Sequence, residues 1–156
     1  MNILLVEDDQ NKVKQIVEFI NSKIKKVDIN KKFSYQSGLK EILRKTYDLI
    51  ILDMSMPTFD ISPQEDGGRP RHFAGKDILR QMHRRKIEIP VIVVTQYERL
   101  GELSNTIELS ALCKELEELY GDTYIGTVYY NPALNNWKED FFQLLTKACK
   151  KEQLND

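Results

Sequence analysis

At 156 residues the chain has room for one hydrophobic core and too little for two ordinary domains. Its 41% hydrophobic and 30% charged residues are the mixture of a globular protein, and 23 basic against 24 acidic side chains leave a net charge of −1, which sets up no field to draw nucleic acid or an anionic membrane. The first apolar run is stopped at Glu7-Asp8-Asp9, too soon for a signal-peptide core or a membrane span, so the expected location is the cytoplasm.

That run, 3–6 (ILLV), is the first predicted strand. Residues 11–24 follow with Val13, Ile16, Val17, Ile20 and Ile24 on one helical face. A weaker strand is read at 32–35, and a helix at 37–45 around Leu39, Ile42 and Leu43. Residues 49–52 (LIIL) form a second strong apolar run. Residues 58–75 (TFDISPQEDGGRPRHFAG) break the rhythm: Pro, Gly and charge mark an inserted loop, and loops of that length inside a compact domain are usually functional or disordered. Helical spacing resumes at 73–86 with Ile78, Leu79 and Met82. A strand at 90–95 ends in Thr95. Residues 97–120 read as a lengthened helical region, with the amphipathic helix at 103–120. A last strand at 124–130 and a last helix at 136–150, carrying Trp137, Phe141, Leu144, Leu145 and Ala148, complete the pattern, and 151–156 form a tail. Cys113 and Cys149 fall on helices, outside any CxxC pair or His cluster, and read as plain thiols.

Strands alternating with helices predict βαβ units and a parallel sheet. The unbroken apolar runs at 3–6, 49–52 and 91–94 suit strands covered on both faces. In such a sheet ligands bind beyond the carboxyl ends of the strands, where the strand order reverses. At those ends the sequence has Glu7-Asp8-Asp9, then Asp53, then Thr95. If the three strands are neighbours, the carboxylates converge and repel one another unless a cation joins them. A donor set made only of oxygens selects a hard metal such as Mg²⁺. Asp9 is equally suited to capping the helix that follows it.

ILLVEDD at 3–9, YDLIILDMSMP at 47–57 and PVIVVTQ at 90–96 resemble the motifs of response-regulator receiver domains, and the likeness covers nearly the whole chain. The resemblance implies an α/β, flavodoxin-like, doubly wound sheet of five parallel strands in the order 2-1-3-4-5, with five helices, as a single domain over 1–150. It implies Asp53 as phosphoacceptor, Asp8 as a direct Mg²⁺ ligand, Glu7 in the metal shell and the backbone carbonyl of Ser55 as a further ligand. It gives Thr95 the role of a hydroxyl that moves toward the phosphoryl group, and Pro57 that of a turn after the site. It also implies phosphorelay signalling with a histidine kinase or phosphotransfer protein as donor. Only KKEQLND follows the last helix, so output is expected in trans through an effector protein, without direct contact to nucleic acid or membrane.

The sequence departs from the family pattern where a Lys precedes Pro at the end of the fifth strand: TVYYNP has Asn131 there. An amide in place of an ammonium forgoes a charged hydrogen bond of about 1.5–3 kcal/mol. Gln96 stands where the family has a small side chain, and Val128 where it has an aromatic one, with Tyr129 and Tyr130 as candidate substitutes. Arg69, Arg71, His72 and Lys76 are candidates for the missing cation, against the alternative that they are solvated charges. Asn131, Gln96 and the inserted loop speak for a second reading, a pseudo-receiver kept as a phosphorylation-independent protein-binding module. An Asp-nucleophile phosphatase wants a second acid two residues after the nucleophile. Ser55 stands there, so the chain is read as no enzyme.

Overall fold

The computed structural model describes residues 1–102 and 105–155. In chain order it holds β1 (Asn2–Val6), α1 (Gln10–Lys23), β2 (Asp28–Lys32), α2 (Tyr35–Arg44), β3 (Leu49–Leu52), β4 (Met56–Pro57), β5 (Pro70–Arg71), α3 (Ala74–Arg84), β6 (Val91–Thr95), β7 (Arg99–Glu102), β8 (Asn105–Glu108), α4 (Leu109–Tyr120), β9 (Tyr124–Tyr129) and α5 (Asn136–Ala148). The main sheet has the order β2-β1-β3-β6-β9 and every pairing in it is parallel, which is the topology expected from the sequence.

The apolar runs explain the layering. Successive side chains of a strand point to opposite faces, so a continuously apolar strand feeds two cores. Leu4 and Val6 pack with Ile42, Ile78, Leu79, Leu112 and Leu116 from α2, α3 and α4. Ile3 and Leu5 pack on the other face with Ile16 and Ile20 of α1 and with Trp137, Phe141 and Leu145 of α5.

Three stretches differ from their sequence reading. The edge strand β2 occupies 28–32 instead of 32–35. Its residues, DINKK, are half exposed and carry little apolar signal, while Ser34 is taken by α2, accepting a hydrogen bond from the Ser37 N–H as N-cap. The lengthened helix over 97–120 is corrected: α4 begins at Leu109, and β7 and β8 pair as an antiparallel hairpin. Leu100 and Ile107 face each other in that ladder and turn toward the α3–α4 side of the core, so two apolar residues of the 97–120 region belong to a strand pair. Gly101 sits at φ +117°, where a Cβ would lie 2.5 Å from the Asn105 carbonyl. The helix start proposed at Leu103 lies outside the described residues. Finally, the tail is docked: Asn155 N–H donates to the Lys23 carbonyl and Lys25 N–H to that of Gln153, tying 151–155 to the end of α1.

Within the 58–75 segment, 58–69 hold no named strand or helix, Pro70–Arg71 form β5 and α3 begins at Ala74; β4 and β5 cinch the neck, Met56 pairing with Arg71 and Pro57 with Pro70.

Candidate active site

β1 and β3 are neighbours but their crossovers leave in opposite directions, so their carboxyl ends open a crevice. The chain leaves β1 through Glu7-Asp8-Asp9 and β3 through Asp53, and Glu7, Asp8 and Asp53 bring carboxylate oxygens within 4.8 Å of one another. They line a cleft of about 330 Å³ together with Asp9, Ser55, Met56, Pro57, Gln96 and Tyr97, and with Ile61, Asp66, Gly68 and Pro70 of the inserted loop.

Each side chain is held differently. Asp53 is buried, its Oδ1 accepting the Met54 N–H at 2.7 Å and its own N–H bonded to the Val6 carbonyl at 3.0 Å. Glu7 is almost fully buried, with Oε1 accepting the Asp9 N–H at 3.1 Å. Asp8 is only partly covered, and loss of water holds its carboxyl above the usual range. Asp9 caps α1, accepting from the Asn11 and Lys12 N–H groups at 3.0 and 3.2 Å, so the capping alternative describes its side chain.

A cation that the sequence reading passed over sits among these acids. Lys12, in the first turn of α1, is 1% exposed and is one of the largest fully buried side chains. Its Nζ lies 2.5 Å from Glu7 Oε2 and 3.3 Å from Asp53 Oδ2, and donates to the Val94 carbonyl at 2.8 Å. Burial alone would lower the ammonium's pKa, but the charges of Asp53 and Glu7 outweigh it and the net shift is upward. Burial and the charge of Asp53 push the Glu7 carboxyl well above its ordinary range, against the pull of Lys12. The signal for Lys12 was its register: Lys12, Ile16, Phe19 and Ile20 follow the 4-3-1 spacing of a buried helix stripe.

The other candidates lie at varying remove. Thr95 ends β6 fully buried, its Oγ1 accepting the Tyr97 N–H at 3.3 Å. Asn131 is turned into its own loop, where Oδ1 accepts the Ala133 N–H at 3.0 Å, and it does not line the cleft. Arg69, Arg71 and Lys76 have carboxylate neighbours elsewhere: Glu102 at 3.8 Å, Asp77 at 3.4 Å and Glu115 at 2.5 Å. His72 lines a separate cleft beside Phe73 and Asp77. Val128 is fully buried, Tyr129 is partly exposed, and Tyr130 is buried with its ring 5.8 Å from Lys12 Nζ.

The donor set fits Mg²⁺. The converging side-chain donors of Glu7, Asp8 and Asp53 are all oxygens, within 4.8 Å of one another, which suits a hard cation. Glu7, Asp8, Asp53 and the Ser55 carbonyl are the groups that would hold the ion. Lys12 already relieves part of the repulsion, so the cluster does not depend on a divalent ion alone.

Known proteins place this arrangement in a family. The model of the response regulator receiver domain matches residues 3–113. The Detocs response regulatory protein DtcB of Enterobacter cloacae is 31% identical over 149 residues, spanning 94% of this chain and 99% of DtcB. The uncharacterized protein y4jR of Sinorhizobium fredii is 31% identical over 141 residues, 88% of this chain and 92% of that protein. Among solved structures, the response regulator TrrA of Thermotoga maritima in complex with Mg²⁺ and BeF superposes with a TM-score of 0.57 at 19% identity, over 92% of this chain and 97% of TrrA, a likeness of fold. A parallel sheet with acids crowded at the β1 and β3 ends, matched by a receiver model over most of its length, makes this chain a member of the response-regulator receiver family.

Proposed function

We propose that Asp53 accepts a phosphoryl group and that the chain signals by the protein contacts this change alters. The observation that carries the reading is the convergence of Glu7, Asp8 and Asp53 at the β1 and β3 ends, in a cleft open to the inserted loop. In the proposed step an Asp53 carboxylate oxygen attacks phosphorus in line. An O–P bond forms as the P–N bond of a phosphohistidine breaks, and the departing imidazole takes its proton from water. Bound Mg²⁺ supplies charge neutralisation for the oxygens of the transferring group. Glu7, Asp8, Asp53 and the Ser55 carbonyl would hold the ion, and Thr95 at the end of β6 offers the hydroxyl that follows the phosphoryl group.

The donor is a histidine kinase or a phosphotransfer protein, or a small phosphoramidate in its place. Output runs through an effector protein in trans, and the chain turns over no substrate of its own. Relatives matched over almost their whole length, DtcB among them, support a role carried by the receiver itself. No described helix is long and apolar enough to cross a membrane. A cytoplasmic location fits a partner that presents phosphohistidine.

Incubation with Mg²⁺ and phosphoramidate, followed by intact mass measurement, tests the reading. One phosphoryl group per chain is expected, absent in Asp53→Asn. A wild-type chain that gains no mass would return the weight to a phosphorylation-independent binding module.

A further inference from the structure

A lysine with its ammonium out of water is costly to fold, and it stays charged only where fixed anions replace its hydration. Lys12 meets that condition at one place, between Glu7 and Asp53. It is the cation recorded within salt-bridge distance of Asp53 among the described residues. Arg69, Arg71 and Lys76 do not line the cleft and have carboxylate neighbours in Glu102, Asp77 and Glu115, and the Asn131 amide is folded into its own turn.

We propose that Lys12 supplies, from α1, the ammonium that holds the oxygens of the phosphoryl group on Asp53. This rests on Asp53 being the phosphoacceptor. Converting the carboxylate to an acyl phosphate adds roughly one negative charge a bond length beyond Asp53. Nζ is already 3.3 Å from Oδ2 and donates to the Val94 carbonyl at 2.8 Å, so it meets the new oxygens by a small rotation of the lysine stem. Its contact with Glu7 then weakens as the contact with phosphate forms. Nζ also lies over the Tyr130 ring, 5.8 Å from its centre, and that ring packs on Trp137 at 4.9 Å, so movement of Lys12 changes the surroundings of the single tryptophan.

The test uses beryllofluoride with Mg²⁺ as a phosphoryl mimic on the full chain, followed by Trp137 fluorescence, and phosphoramidate uptake followed by mass. Lys12→Met keeps the apolar stem and removes the charge. Losing a charged hydrogen bond is expected to weaken beryllofluoride binding and slow uptake on the order of ten- to a hundredfold. The Lys12→Met/Asn131→Lys double variant is expected to recover part of the loss. A folded Lys12→Met chain with wild-type binding and uptake overturns the proposal. If that variant does not fold, the wild-type chain still decides: the ¹⁵Nζ resonance of Lys12 should shift on adding beryllofluoride beyond its position with Mg²⁺ alone, and an unmoved resonance overturns the proposal. A wild-type chain that takes neither beryllofluoride nor phosphate marks the separate failure of Asp53 as phosphoacceptor.

Discussion

Gly75, at the start of α3, offers a test of how tightly the fold holds Asp53. Alanine in place of a helical glycine ordinarily stabilises by about 0.5–1 kcal/mol, because alanine loses less backbone freedom on folding. Here the opposite sign is expected. A Cβ on Gly75 would stand 2.8 Å from the Asp53 carbonyl oxygen and 3.2 Å from the Met54 Cα, where ordinary contact begins at 3.4 Å. The obstacle is backbone, so α3 and the β3 end must separate by about 0.6 Å. Overpacking of that kind costs about 1–3 kcal/mol. The same displacement reaches the site, because Gly75 N–H donates to the Met54 carbonyl and Met54 N–H to Asp53 Oδ1. A misplacement near 1 Å can cost about a hundredfold in rate, so uptake of phosphate from phosphoramidate should fall on the order of tenfold in Gly75→Ala. Urea unfolding gives the stability and a mass-resolved time course gives the rate. A variant as stable as wild type refutes the steric argument. One that is destabilised but phosphorylates at the wild-type rate refutes the coupling to Asp53.

Two further predictions concern other parts of the molecule. The Tyr47 hydroxyl donates to Glu41 Oε1 at 2.6 Å and, outweighing the effect of burial with help from Arg44, holds the Glu41 carboxyl below its ordinary 4.5. A depressed folded pKa stabilises above the unfolded value and is lost as pH falls through the folded one, so Tyr47→Phe should cost about 1.5–3 kcal/mol at neutral pH, with a gap that narrows below about pH 4.5 in urea unfolding; a constant gap would contradict it. Asp9→Ala should remove about 1 kcal/mol of stability as a lost N-cap while leaving Mg²⁺ affinity unchanged, and weakened Mg²⁺ binding by titration calorimetry would make Asp9 a ligand instead.

What the sequence made legible follows from how strongly each residue's environment is written locally. β1, β3 and β6 are apolar at almost every position, so their burial and their parallel pairing could be read directly, and with them the convergence of Glu7, Asp8 and Asp53. β2 is an edge strand with one paired side in the sheet, and DINKK needs no apolar face to form it. The β7–β8 hairpin escaped because Leu100 and Ile107 owe their placement to a core contributed by α3 and α4, which no local window contains. Lys12 escaped for a related reason: a lysine on a helix is ordinarily solvated, and besides nearby Glu7 the partners of this one, Asp53 and Val94, are distant in sequence.

That last case bears on how the departure at Asn131 is to be judged. From the sequence alone, an amide at that position and loop arginines nearby suggested either a weakened switch or a cation borrowed from the insertion. The structure pairs two of the loop cations with acids away from the cleft and puts a buried ammonium beside Asp53 from the first turn of α1. A charge buried on a packed helix is better fixed than an exposed one on a loop: Lys12 is 1% exposed, so less rotamer freedom remains to be lost when it engages an anion. Loss of the usual lysine therefore does not by itself argue for loss of phosphorylation here. The decisive quantity is whether Nζ of Lys12 exchanges Glu7 for the incoming oxygens, and the geometry leaves it within one contact distance of doing so.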